Sequence, residues 1–244
     1  MNYFGITDKG NIRKSNQDRY TVLTCDKTGI LLAAVCDGMG GANGGETASS
    51  IAVSTIEAVF SDFCEDNPKY NKYGTFLTET ASKANKAIYN TAAQDRSLEG
   101  MGTTFVGLIA CNNKVVLANV GDSRAYLITE DDMRQLTVDH SLINEIIQQG
   151  MLSQKEAMSL PGKNVITRAL GVDPAVQCDT YTLEVKKGDY ILLCSDGLTD
   201  EVTEPEIHFE VCNNDSVEKS CQSLVEIAKS RGGHDNITVV ICAF

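Results

Sequence analysis

The sequence predicts an α+β fold, a layered sandwich of antiparallel sheets with helices on the outside. Three observations carry this. Two helix-period segments follow one another at 46–63 and 73–93. Groups of consecutive apolar strands precede and follow them. Regular strand–helix–strand alternation, which a parallel α/β sheet would need, is missing.

The elements follow in order. A short strand at 2–7 leads into a loop at 8–18, then a strand at 20–24 and the apolar strand 30–36. In the segment 46–63, Ala48, Ile51, Ala52, Ile56, Val59, Phe60 and Phe63 recur at the 3.6-residue helical period. Phe76, Leu77, Ala81, Ala84, Ala87 and Ile88 do the same in 73–93. The period then changes. Segments 103–111, 114–120, 124–129 and the region near Leu136 read as a strand meander, turned at Asn112-Asn113 and Gly121-Asp122. A short helix at 141–149 precedes an irregular stretch at 150–171, and further strands follow at 176–183 and 189–194. Ser216 is placed to cap a helix that runs to Ser230 and stops at Gly232-Gly233, before a last strand at 236–244. The polar segment 139–171, broken by Pro161-Gly162, reads as a surface insertion in one domain spanning 1–244.

Composition narrows the function. Hydrophobic residues make up 42% of the 244, which suits a folded globular chain and not a disordered one. The longest apolar runs are too short to cross a bilayer. The N-terminus lacks the basic flank and apolar core of a secretion signal, so no membrane association is expected. A net charge of −12 opposes nucleic-acid binding, which needs a basic face. Nine scattered cysteines include no Cys-x-x-Cys pair and read as small buried hydrophobes in a reducing cytoplasm. The three histidines match no familiar zinc spacing with them.

Asp37, Asp196, Asp122 and Asp235 stand at the ends of apolar strands or in the turns between them. Taken singly each is a turn residue, since Asp-Gly is a favoured turn dipeptide. Taken together they gather carboxylates at the ends of buried strands, where they repel one another unless a cation lies between them. A hard divalent ion held by oxygen alone meets that need, and the glycines beside Asp37 let a carbonyl such as that of Gly38 reach it. Arg13, in the loop 10–18, is a solvated charge if isolated. Beside such ions it could clamp a phosphate through two hydrogen bonds.

Six stretches occur in an order and spacing that resemble the protein phosphatase 2C family, the metal-dependent protein phosphatases. They are Arg13-Lys14-Ser15-Asn16-Gln17-Asp18, Val35-Cys36-Asp37-Gly38-Met39-Gly40-Gly41, Gly102-Thr103-Thr104, Asn119-Val120-Gly121-Asp122-Ser123-Arg124, Leu193-Cys194-Ser195-Asp196-Gly197 and Asp235-Asn236-Ile237-Thr238. The resemblance covers essentially the full chain and implies an α-β-β-α sandwich with two central antiparallel sheets flanked by helices. It implies Mn²⁺ or Mg²⁺ as cofactor, two core ions and a third. Asp37 would bridge two ions, Asp196 and Asp235 would complete the first site, and the Gly38 carbonyl would help the second. Asp18 would hold a metal-bound water, Asp122 with Asp196 would form the third site, and Arg13 would bind the substrate phosphate. The segment 139–171 corresponds to the family's flap. Met39 stands where many eukaryotic members carry a proton-donating histidine, a change that bacterial-type members share; the resemblance implies a metal-bound water as the substitute, with His140 and His234 as distant alternatives.

The expected activity is therefore hydrolysis of phosphoserine and phosphothreonine on proteins by direct attack of a metal-bridging hydroxide. Paired ions about 3.5–4 Å apart lower the pKa of water from about 15.7 towards about 7. Phosphorylated proteins are the expected partners, with a cognate serine/threonine kinase. A dinucleotide-dependent oxidoreductase is disfavoured. Asp37 precedes the glycines where it would repel a pyrophosphate, and Glu57 falls inside a helix instead of closing a second strand. A catalytically dead relative is disfavoured because all five aspartates are present.

Overall fold

The computed structural model describes residues 1–66, 68–150 and 165–244. Its frame is two antiparallel five-stranded sheets. The first sheet is built from β2 (Arg19–Cys25), β3 (Ile30–Cys36), β6 (Phe105–Cys111), β7 (Lys114–Val120) and β10 (Asp179–Glu184), in the order β10-β7-β6-β3-β2. The second is built from β1 (Asn2–Asp8), β8 (Arg124–Ile128), β9 (Met133–Gln135), β11 (Tyr190–Cys194) and β12 (Ile237–Ala243), in the order β1-β12-β11-β8-β9.

Strand β3 shows why the sandwich forms. Side chains of a strand alternate between faces, and all seven residues of β3 are buried. Leu31, Ala33 and Val35 enter the core between the two sheets, against Leu193 and Val240. Ile30, Leu32, Ala34 and Cys36 enter a second core against helices α1 (Gly41–Glu65) and α2 (Tyr73–Gln94). A third core lies on the far side of the second sheet, beneath α4 (Asp196–Thr199), α5 (Glu204–Asn213) and α6 (Val217–Ser230). At about 1.5–3 kcal/mol for each fully buried large aliphatic side chain, these three layers hold the α-β-β-α order that the sequence predicts.

The differences from the predicted elements have physical reasons. Helix α1 begins at Gly41, five residues before the predicted start at 46. Its first turn is glycine-rich and packs by backbone, so no apolar period marks it. The predicted strand 103–111 is two elements, because β5 (Gly102–Thr103) leaves the large sheet to pair with β4 (Gly38–Met39). The predicted strand 176–183 begins at Asp179. Helices α4 and α5 were not predicted, although α5 carries a legible start. Thr203 and Glu206 form a capping box with a proline in the first turn. The predicted helix 141–149 is α3 (Leu142–Gln148), with Ser141 Oγ accepting the Asn144 N–H at 3.3 Å. Most of the predicted irregular stretch 150–171, including Pro161-Gly162, lies outside the described residues. Its described part, 165–171, attaches to the body through bridges Ser141↔Ile166 and Thr103↔Leu170.

Register gathers one end of both sheets. Arg19 pairs with Cys36 and Phe105 with Val120, so Asp18, Asp37, Thr104 and Gly121 follow at the same edge. Cys194 pairs with both Arg124 and Val239, which brings Asp122, Asp196 and Asp235 to that edge from the second sheet.

Candidate metal centre and active site

A cleft opens at this edge, lined by Arg13, Asp37, Gly38, Asp122, Asp196 and Asp235 together with Gln17, Met39, Thr104, Ile166 and Asn236. Asp18 lies beneath it with no exposed surface. The seven residues expected at a site from the sequence are therefore at one place.

Asp37 is held by its backbone. Its N–H donates to Thr104 Oγ1 at 2.9 Å, and its carbonyl accepts from Thr104 N at 2.8 Å and Thr103 Oγ1 at 2.9 Å. Thr104 Oγ1 also meets Ser123 Oγ at 2.7 Å, which links Asp37 to the turn bearing Asp122. Burial pushes the Asp37 carboxyl well above the usual range, and the charges of Asp18, Asp196, Asp122 and Asp235 push it further. Beside it, a side chain on Gly38 would collide with the carbonyls of Gly45 and Gln17. Only glycine lets the strand end and the helix start approach this closely.

Asp196 opens α4, with its Oδ1 buried and without a hydrogen-bond partner. Burial, then Asp122 and Asp235, raise its pKa to about 8. Asp122 follows Gly121, whose φ is +106°, and is raised to about 6 by burial and then by Asp139. Asp18 Oδ2 accepts hydrogen bonds from Ser195 and Thr238, each at 2.7 Å, while its buried Oδ1 has no partner. Burial raises Asp18 against the lowering effect of those two donors. Asp235 Oδ1 accepts the Asn236 N–H at 2.8 Å, and its Oδ2 takes Arg13 Nη2 at 2.6 Å. The guanidinium expected to clamp a phosphate thus rests on a carboxylate of the cleft, half exposed to solvent.

The two alternative histidines are engaged elsewhere. His140 is buried, its Nδ1 accepts the Gly121 N–H at 3.0 Å, and its Nε2 faces Asp179 at 3.1 Å. His234 is exposed and its Nδ1 meets Glu201 at 2.6 Å. Neither lines the cleft.

Whether a divalent cation fits is tested by the orphaned oxygens. Bare carboxylate oxygens of Asp18 and Asp196 in a buried acidic cluster are costly without a positive partner. The donors are oxygens only, which suits a hard ion. Among the described residues no three His, Cys, Asp or Glu side chains form a ready-made cage. Mg²⁺ and Mn²⁺ both take oxygen donors, and Mg²⁺ keeps several waters in its shell. The residues fit.

Sequence reasoning gave no role to Thr104, Ser123, Ser195, Thr238 and Asn236, although all lie in the quoted motifs. Asn236 Oδ1 accepts Gln17 N at 2.8 Å and its Nδ2 donates to Lys9 and Ser15 carbonyls at 2.9 and 3.0 Å. It anchors the loop that carries Arg13. The repeated Ser, Thr and Asn neighbours of the aspartates were the available signal.

A family model described as protein phosphatase 2C matches residues 11–234. The chain belongs to the protein phosphatase 2C family. It is 41% identical over 239 residues to the serine/threonine phosphatase stp of Listeria innocua, covering 96% of this chain and 92% of that one. The crystal structure of the serine/threonine phosphatase Stp1 from Staphylococcus aureus superposes with a TM-score of 0.91 at 33% identity, covering 99% of this chain and 94% of that one. The catalytic domain of the phosphatase PstP, solved in complex with 2 manganese ions, gives 0.83 at 31% identity, covering 98% and 96%. As a member of this family the chain is a protein phosphatase, a hydrolase of phosphate esters. The resemblance read from its six motifs is borne out.

Proposed function

We propose that this phosphatase hydrolyses phosphoserine and phosphothreonine on proteins with divalent cations, Mn²⁺ or Mg²⁺, held in the acidic cleft. The single observation that carries the reading is the pair of buried, partnerless carboxylate oxygens of Asp18 and Asp196, on opposite sheets beside Asp37. Asp37, Asp196, Asp235 and the Gly38 carbonyl would hold the two core ions, and Asp122 with Asp196 a third. Bound ions would neutralise the carboxylates, polarise the phosphoryl oxygens and make water nucleophilic at neutral pH.

The protein's own groups do the rest. Asp18 Oδ1 orients water at the floor of the cleft. Arg13 leaves Asp235 for the incoming phosphate, exchanging one anionic partner for another that its planar fork fits bidentately. Met39 has no proton to give and both histidines are engaged, so the leaving alkoxide takes its proton from water in the cleft. We read 1–244 as one catalytic domain, with the segment 139–171, of which 151–164 lie outside the described residues, selecting substrates. The described cysteines are all free, which supports work in a reducing cytoplasm, opposite a serine/threonine kinase that supplies its substrates. Among the described residues no helix is long and apolar enough to cross a membrane.

The test is a metal titration with p-nitrophenyl phosphate. Turnover is expected to vanish with EDTA and return with Mn²⁺. Asp37→Asn is expected to lower kcat/KM by at least about 10³-fold, about 4 kcal/mol of transition-state stabilisation. Near-normal turnover of that variant in Mn²⁺ would overturn the assignment.

A further inference from the structure

Beneath the cleft runs a chain of hydrogen bonds whose direction is settled by its end groups. Asp18 Oδ2 accepts from Ser195 Oγ and Thr238 Oγ1, both at 2.7 Å. Asp18, Ser195 and Thr238 have no exposed surface. Ser195 Oγ in turn accepts the Thr238 N–H at 3.0 Å, and its single proton goes to the carboxylate of Asp18 at 2.7 Å in preference to the Asn236 carbonyl at 3.4 Å. Thr238 Oγ1 meets Thr7 Oγ1 at 2.7 Å, and Thr7 Oγ1 accepts from Asn16 Nδ2 at 2.9 Å. Because the Thr238 proton points to Asp18, Thr7 must donate to Thr238. Asn16 Oδ1 accepts the Asp18 N–H at 3.1 Å and closes the circuit. Every proton is directed towards one carboxylate oxygen, an arrangement in which successive bonds polarise one another.

The circuit ties together the loop before β2, strand β1, strand β12 and the end of β11. It leaves Asp18 one rotamer, with Oδ2 saturated and Oδ1 bare beside Asp37. We infer that Ser195, Thr238 and, at one remove, Thr7 are positioning residues that aim Asp18 Oδ1 into the cleft and thereby set its affinity for divalent cations. Without them the Asp18 side chain can turn either oxygen to either side, and the water that Asp18 would hold beside the ions loses its fixed acceptor. Partners of a metal's direct ligands typically govern its affinity by about 10–100-fold, and residues that act through Asp18 and its water fall at the low end of that range.

The inference rests on the cleft being the cation site, so the experiment separates the two. Mn²⁺ binding to the EDTA-treated protein is measured by titration calorimetry for the wild type, Asp37→Asn, Thr238→Val, Thr238→Ser, Ser195→Ala and Thr7→Val, with the thermal midpoint recorded without metal. Asp37→Asn is expected to abolish high-affinity binding. Thr238→Val and Ser195→Ala are expected to weaken it about tenfold and to raise the Mn²⁺ needed for half-maximal turnover, with KM for p-nitrophenyl phosphate unchanged at saturating Mn²⁺. Thr238→Ser, which keeps the hydroxyl, is expected to restore wild-type affinity, and Thr7→Val, one bond further out, to weaken binding less than Thr238→Val does. If Asp37→Asn loses binding while Thr238→Val and Ser195→Ala keep wild-type affinity, the positioning role is wrong and the cation site stands. If Asp37→Asn binds Mn²⁺ as the wild type does, both are wrong. Should Thr238→Val not fold, Ser195→Ala and Thr7→Val decide by the same criteria.

Discussion

Arg13 is a cation with two possible partners in one cleft, and its chemistry decides between them. It rests on Asp235 through a single contact at 2.6 Å, with about half its side chain in solvent. A surface pair of this kind is worth about 0–1 kcal/mol, so a dianionic phosphate can take the guanidinium at little cost. Lysine at this position would keep the charge and lose the planar fork. Arg13→Lys is therefore expected to raise KM for p-nitrophenyl phosphate about tenfold with kcat lowered less, the mark of lost phosphate binding. A steady-state assay at saturating Mn²⁺ checks this, and an unchanged KM would remove Arg13 from phosphate recognition. A phosphate-binding role for Arg13 was legible in the sequence only once the aspartates were read as a cation site. Its present contact with Asp235, from 222 residues away, was not legible, because nothing local couples the two.

The turn from β3 through β4 into α1 shows what an element can hide from periodicity. Gly40 and Gly41 have φ of +115° and +56°, values open to glycine, and start the helix directly after the strand. Gly45 packs one turn later against the backbone of Gly38, where a methyl group would come within 2.5 Å of the Gly38 carbonyl oxygen. Gly45→Ala is expected to push the helix away from the strand end, destabilising the protein by about 1–3 kcal/mol and weakening Mn²⁺ binding by displacing the Gly38 carbonyl. Denaturant unfolding and metal titration would show this, and a variant with wild-type values in both would deny the close approach any role. Helix α5 makes the opposite case. Its capping box at Thr203 and Glu206 was readable, but its weak apolar pattern was not, and Ile207 and Val211 are its only buried residues.

Across the whole molecule the acidic edge couples folding to pH and to metal. Burial and mutual repulsion raise Asp122 to about 6 and Asp196 to about 8, and push Asp37 upwards, from an ordinary value of 3.8. Between the ordinary and the raised values the folded state holds more protons than the unfolded one, so stability falls as pH rises through that window. The metal-free protein is expected to melt at a lower temperature at about pH 8.5 than at about pH 5, with Mn²⁺ raising the midpoint most at the alkaline end, where the carboxylates are deprotonated. Calorimetry in EDTA and in Mn²⁺ checks this, and a metal-free midpoint that rises with pH would contradict it. Asp122→Asn should flatten the metal-free slope. From the sequence alone came the layer order, the strand ends bearing Asp37, Asp196 and Asp235, and the family, because apolar period and short motifs are local properties of the chain. The tertiary structure alone decided which oxygens of those aspartates are bare, where Arg13 rests and which hydroxyls face Asp18. Such contacts join residues up to 222 positions apart and arise only when sheet register brings separate strand ends to one edge.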